Sequence, residues 1–257
     1  MTEAILNISV DGAVGVVEIN KPPHNFFDVE LIAAVADVWE EFERDSRVRA
    51  IVLSSNGKSF CAGADFSKRE NVNKKRSPRQ LNPIYLEATR MFACTKPVVA
   101  AIEGPAIGGG LGMALTADFR IACEASRFSA NFNRLGFHPG FALSYTLPQL
   151  IGQQKAAWMF YTGARIDGLK ALELGLVDAL VAASQVRTTA MQWAREIAIS
   201  SPRAVQTTRA TLLDGRLERI RQAVARESEV QAAQMTSEDL QEGVAAARDR
   251  RNPNFKD

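Results

Sequence analysis

Histidine and cysteine are scarce in this chain, at two and three residues respectively among 257. The cysteines, Cys61, Cys94 and Cys123, lie far apart and include no C-x-x-C pair; with His24 and His138 they assemble no zinc-ligand set. Three unpaired thiols fit a reducing compartment. The net charge is only +2, which demands neither nucleic acid nor an anionic membrane as partner. No apolar run approaches the roughly 20 residues that span a bilayer. The N-terminus lacks the basic-then-apolar order of a signal peptide. There is no G-x-x-x-x-G-K-[ST] phosphate loop and no G-x-S-x-G nucleophile elbow, and the glycines at 104, 108, 109, 110 and 112 do not fit G-x-G-x-x-G. These absences point to a soluble, cytoplasmic protein that works without metal or nicotinamide.

Hydrophobic residues make up 46 % of the chain, enough for a large core. Two apolar runs, 4–10 and 13–20, flank Asp11-Gly12 and predict a hairpin. Asp28 suits a helix N-cap, and Leu31, Val35, Val38 and Phe42 follow at helical spacing. Residues 50–53, 97–102 and 119–122 read as buried strands, with a helix near 80–94 and a glycine turn at 104–112 that leads into a helix to about Thr116. This alternation predicts an α/β fold with a largely parallel sheet. Beyond residue 150 the pattern is mostly helical. Asp167 caps a helix that Gly175 ends, and 177–181 forms a last strand. Leu213, Leu217, Ile220 and Val224 repeat at 4-3-4 spacing and predict a stripe in need of a partner surface. The expected division is an α/β core over 1–200 and a helical oligomerisation region over 201–257. Residues 66–79 hold six basic side chains and few apolar ones, a solvated loop or a nucleic-acid patch in which Phe66 alone could stack on a base.

Two glycine-bearing turns each follow an apolar strand: Ser59-Phe60-Cys61-Ala62-Gly63-Ala64-Asp65 and Gly104-Pro105-Ala106-Ile107-Gly108-Gly109-Gly110-Leu111-Gly112. Ligands in α/β sheets gather at the carboxyl ends of strands. Small residues let a backbone N–H reach a ligand closely. One donor from each turn would make an oxyanion hole. The competing reading is that these glycines only permit close strand–helix packing.

In combination the turns carry a resemblance. F-C-A-G-A-D, then K-P-V-V-A-A-I-E-G-P-A-I-G-G-G-L-G, then A-D-F-R-I-A is similar in order and content to the enoyl-CoA hydratase/isomerase (crotonase) superfamily. Residues 18–36, 162–177 and 237–255 extend the likeness over nearly the whole chain. The resemblance implies a spiral of β-β-α repeats with C-terminal helices, a homotrimer or homohexamer, and an acyl-CoA thioester as substrate. It implies no separate cofactor, coenzyme A being part of the substrate. It also implies oxyanion-hole N–H groups on Ala64 and Gly109, with Ala62 beside the substrate, Lys21 near the nucleotide and Arg250 near its phosphates.

The chain departs from the hydratases of that superfamily at two points. They carry a glutamate two positions after the glycine triplet, where this chain has Gly112, and a second in a P-E pair, where it has Asn131-Phe132. Adding water to an enoyl thioester needs groups that activate water and move its proton, and glycine and phenylalanine do neither. The expected activity is therefore isomerase, hydrolase, C–C lyase or atypical hydratase. The alternative is a non-catalytic CoA-binding or RNA-binding homologue. His138 is a candidate acid/base because histidine titrates near neutrality; the other reading is a histidine bonded to backbone in a tight turn. Glu103 is a second candidate, or else half of an ion pair. Tyr85, Asn131, Phe132, Asn133 and Tyr145 are candidate acyl-pocket residues.

Overall fold

A computed structural model describes residues 4–64 and 81–256. The basic stretch 66–79 lies outside the described residues. The large sheet holds β1 (Leu6–Asp11), β2 (Val14–Ile19), β3 (Ala50–Ser55), β4 (Val98–Ile102), β6 (Phe119–Ala122) and β9 (Ala179–Leu180), in the spatial order β1-β2-β3-β4-β6-β9. Only β1 and β2 pair antiparallel, across the Asp11-Gly12 turn; the other neighbours are parallel. A small sheet holds β5 (Pro105–Ile107), β7 (Arg127–Ser129) and β8 (Arg165–Asp167).

The two sheets explain each other. β4 leads straight into β5, and β6 leads into β7, so these two passages through the large sheet each donate their next segment to the small one. Cys61, six residues beyond β3, does the same by bridging Ala106 in parallel. The result is a spiral with three successive segments stacked at Cys61, β5 and β7. Within 104–112, where the sequence reads a glycine turn leading into a helix, residues 105–107 are a strand held by both neighbours, and the helix begins at Gly109.

Alternation along the strands sets the layers. Val98, Ala100 and Ile102 of β4 face the main core, with Ile51 and Leu53 of β3. Val99 and Ala101, with Ala50 and Val52, face the other way, onto Val186, Ala190 and Ala194 of a covering helix. On the core side α1 (Val29–Arg44) buries Leu31, Val35, Val38, Trp39 and Phe42, and the Asp28 carboxylate accepts the Leu31 N–H at its start. α2 (Pro83–Phe92) packs beside it. α3 (Gly109–Ala114) follows β5, and α4 (Leu143–Ile151) and α5 (Gln153–Thr162) come after β7. α6 (Gly168–Leu174) runs from the Asp167 cap to Gly175. The covering helix is α7 (Val186–Ile199), and α8 (Pro202–Leu212), α9 (Arg216–Gln234) and α10 (Glu238–Arg248) complete the chain.

The stripe expected to need a partner finds one within its own chain over part of its length. Ile220 and Val224 are fully buried, because α9 lies against α2 and α4. On α8, by contrast, no residue is buried.

Candidate active site

Three stacked segments deliver the cavity. Cys61 and Ala106 are parallel partners, joined by hydrogen bonds from Cys61 N–H to Pro105 O and from Ile107 N–H to Cys61 O, both 3.0 Å. Parallel partners leave their sheet in the same direction. Residues 62–64 and 108–109 therefore emerge side by side. β7 pairs with β5 in parallel, and Gly108 N–H donates to Ser129 O at 2.8 Å, so Asn131 and Phe132 emerge next to Gly108.

Close approach explains the glycines. A Cβ on Gly110 would stand 2.1 Å from Cys61 O, and one on Gly109 would stand 2.4 Å from the Phe27 ring. Gly63 and Gly108 have φ of +99° and +56°, open to glycine and costly for other residues. Gly109 and Gly110 open α3, and the first N–H groups of a helix have no partner within it. Phe27 N–H donates to Gly63 O at 3.0 Å, and Phe27 bridges Ala64, so the segment before α1 forms another wall. Buried Asn25 anchors that segment, accepting from Lys21 N–H and donating to Asn56 O and Ser59 O.

The cavity measures about 120 Å³. Ala62, Gly63, Ala64, Gly108 and Gly109 line one side. Ile84, Tyr85, Ile107, Asn131 and Leu135 contribute, and Phe26, Phe27, Phe132, Phe137, Gly140 and Phe141 close it. Tyr85 is the one ionisable side chain among the described lining residues. Its hydroxyl donates to Gln231 Oε1 at 2.5 Å, and Gln231 Nε2 donates to His138 O at 2.7 Å. Burial pushes the Cys61 thiol, just outside the wall, up to about 12, which keeps it protonated and unreactive.

Of the residues singled out from sequence, Ala62, Ala64, Tyr85, Gly109, Asn131 and Phe132 meet at this cavity. Others do not. His138 is absent from the wall; its Nδ1 lies 2.7 Å from Pro139 O, and its N–H donates to Gln234, so it is a backbone-bonded turn residue. Glu103 pairs with Arg187 at 3.1 Å on the far side of the sheet, where Arg187 also binds Glu18 and Ser55 O. Asn133 begins a short 3-10 turn, Asn133–Leu135, outside the wall. Tyr145 faces a separate depression with Arg120, Gln149 and Arg216, because α4 turns that face away. Lys21 Nζ is held by Asp28 at 2.9 Å, beside the segment that carries Phe26 and Phe27. Arg250 is exposed beyond α10, with φ of +55°.

Two side chains that sequence reasoning missed shape the site from α9. Gln231 holds Tyr85. Glu227, fully buried, accepts from Ala142 N–H at 2.8 Å and from the Ser144 N–H and hydroxyl at 2.9 and 2.6 Å. It thereby fixes the corner at Phe141 and Ala142, two non-glycine residues at φ of +64° and +58°. The signal was present: with Ile220 and Val224, residues 227 and 231 continue one buried stripe.

A family model described as enoyl-CoA hydratase/isomerase matches residues 9–257. The chain is 33 % identical over 241 residues to the short-chain-enoyl-CoA hydratase of Clostridium acetobutylicum, covering 92 % of this chain and 91 % of that protein. The crystal structure of an enoyl-CoA hydratase/isomerase from Pseudoalteromonas atlantica T6c superposes with a TM-score of 0.89 at 31 % identity, over 98 % of this chain and 100 % of that one. An enoyl-CoA hydratase structure from Mycobacterium avium subsp. paratuberculosis K-10 gives 0.85 at 28 % identity, over 99 % of both chains.

Proposed function

The chain belongs to the enoyl-CoA hydratase/isomerase family, and from that membership we propose an acyl-CoA-processing enzyme that polarises its thioester with the backbone N–H groups of Ala64 and Gly109 and does not hydrate by a glutamate pair. The observation that carries the reading is the cavity wall itself. It brings residues 62–64 and 108–109 together and, among the described residues, contains no carboxylate, histidine or lysine. Two donors aimed at one oxygen stabilise the negative charge of an enolate or tetrahedral species, and losing one such donor typically costs about 3 to 4 kcal/mol of barrier.

The general acid and base of a hydratase are missing from the positions that resemblance assigns them. Gly112 packs under Phe141, and Phe132 puts a hydrocarbon ring in the wall. Groups of that kind each contribute about 10²–10⁴-fold. Thioester polarisation then serves isomerisation, hydrolysis, C–C cleavage or an atypical hydration. Coenzyme A enters as part of the substrate, with Lys21 and Arg250 as its candidate contacts. The helices beyond residue 200, α8 above all, are the candidate contacts of a homotrimer or a dimer of trimers.

The test is a set of acyl-CoA thioesters incubated with the protein and followed by mass spectrometry, crotonyl-CoA among them. The expected result is turnover of another thioester with crotonyl-CoA hydration several orders of magnitude below that of a glutamate-bearing relative. Rapid hydration of crotonyl-CoA would overturn the reading of the two positions. Binding without any turnover would make the chain a non-catalytic acyl-CoA-binding homologue.

A further inference from the structure

We propose that the acyl group bound in this cavity is a compact, uncharged aromatic ring, an inference that rests on the acyl-CoA reading above and narrows it. Two edge-on ring pairs frame the cavity. Phe27 and Phe141 have centroids 5.7 Å apart at an interplanar angle of 62°, and Phe132 and Phe137 are 5.4 Å apart at 75°. All four rings are buried. Rings prefer offset or edge contacts at centroid separations of about 4.5–7 Å, so an inserted ring finds faces and edges already placed for it.

Size and closure support the same ligand. A cavity of about 150 Å³ lined by Leu, Ile and Phe side chains is known to take benzene; this one measures about 120 Å³. It cannot lengthen into a tunnel past Tyr85, because a Cβ on Gly140 would already stand 1.8 Å from the Tyr85 hydroxyl. Gln231, itself buried, holds that hydroxyl in place. Behind the rings, Phe141 sits on Gly112 with its Cβ 2.6 Å from where a Gly112 Cβ would be. Among the described residues, a long linear acyl chain therefore has no space to extend past Tyr85. The wall also disfavours charge: no described lining residue carries one, so a carboxylate brought against it would be left unpaired.

The experiment is titration calorimetry of the whole protein with coenzyme A, benzoyl-CoA, hexanoyl-CoA, decanoyl-CoA and succinyl-CoA, on the wild type and on Phe132→Leu. Leucine keeps apolar bulk and removes the ring. The expected order places benzoyl-CoA at least about tenfold tighter than hexanoyl-CoA and both above decanoyl- and succinyl-CoA. Phe132→Leu is expected to weaken benzoyl-CoA about threefold to tenfold, the scale of an aromatic edge contact, and to leave hexanoyl-CoA within about twofold. Hexanoyl- or decanoyl-CoA binding as tightly as benzoyl-CoA would overturn the aromatic inference while leaving the acyl-CoA reading intact. Equal weakening of benzoyl- and hexanoyl-CoA by Phe132→Leu would overturn it as well. Folded protein that binds none of the five would overturn the acyl-CoA reading itself.

Discussion

The Glu227 carboxylate takes the Ser144 hydroxyl at 2.6 Å and the Ser144 N–H at 2.9 Å, so a side chain on α9 caps a helix more than eighty residues earlier in the chain. Ala142, at the N-cap of α4, offers no side-chain acceptor of its own. Glu227 supplies what the local sequence lacks. The same contact holds Phe141 in the cavity wall, which ties the C-terminal helices to the site and not only to the fold.

Glu227 also predicts a pH dependence of stability. Burial pushes its carboxyl up to about 7, against hydrogen bonds from Ser144 and Ala142 that pull it down. The native state therefore keeps a proton that the unfolded chain releases above its own, lower pKa. The contribution is full below about 4.5, falls as pH rises and is lost above about 7, by up to about 3 kcal/mol in all. Urea denaturation of wild type and Glu227→Gln from pH 4.5 to 8 measures it. The stability of wild type relative to the variant is expected to fall with pH across that window; a constant difference would mean that Glu227 does not titrate there.

Gly112 is the position at which resemblance places a hydratase glutamate, and a Cβ there would lie 2.6 Å from Phe141 Cβ. Installing the carboxylate alone is therefore expected to fail. Gly112→Glu should destabilise the fold by roughly 1–3 kcal/mol, the usual cost of overpacking, and should not create crotonyl-CoA hydration. Gly112→Glu with Phe141→Gly removes the contacting Cβ at a position whose φ of +64° suits glycine, but gives up a fully buried ring, so the double variant is also expected to melt below wild type. Thermal melts of the three proteins check this, and a single variant that melts with the wild type would show that the wall gives way easily.

His138 and Glu103 both lie outside the cavity wall. The His138 ring is tied to Pro139 O, and the Glu103 side chain is about one-third exposed and shares Arg187 with Glu18. Exposed ion pairs contribute little, about 0–1 kcal/mol. His138→Ala and Glu103→Gln are expected to keep acyl-CoA affinity and turnover within about twofold of wild type. A loss of turnover beyond tenfold in either variant, with melting unchanged, would return that residue to the chemistry.

Much of this architecture was legible before the structure. Asp28 and Asp167 mark helix starts, Gly175 marks a stop and Asp11-Gly12 marks the hairpin, because caps and tight turns are local events. The paired turns at 62–64 and 108–109 were legible from glycine and small residues. β5, β7 and β8 were not: three residues are too few to show a period of two, and their hydrogen bonds come from distant segments. Phe27, Phe137 and Phe141 were not singled out, since nothing local separates a ring that packs from a ring that lines a cavity. Gln231 and Glu227 were hidden for a related reason. A polar residue on a buried stripe signals a partner, but Tyr85 and Ser144 lie 146 and 83 positions away.

The oxyanion reading itself has an optical test that does not depend on knowing the reaction. A thioester conjugated to an aromatic alkene, such as cinnamoyl-CoA, absorbs through a transition that moves charge toward the carbonyl oxygen. Hydrogen bonds to that oxygen stabilise the excited state and move the band to longer wavelength. Wild-type protein is expected to shift bound cinnamoyl-CoA to the red of the free thioester. Gly109→Ala removes the geometry: the new methyl would stand 2.4 Å from Phe27 Cζ and 2.6 Å from Phe27 Cε1, so the ring must move within the wall it forms. The variant should lose most of the shift and, once a substrate is known, about 10²–10³ in kcat, the scale of one lost oxyanion donor. Equal melting temperatures would confine the effect to the site. An unchanged red shift in Gly109→Ala, with cinnamoyl-CoA bound, would remove Gly109 from the oxyanion hole.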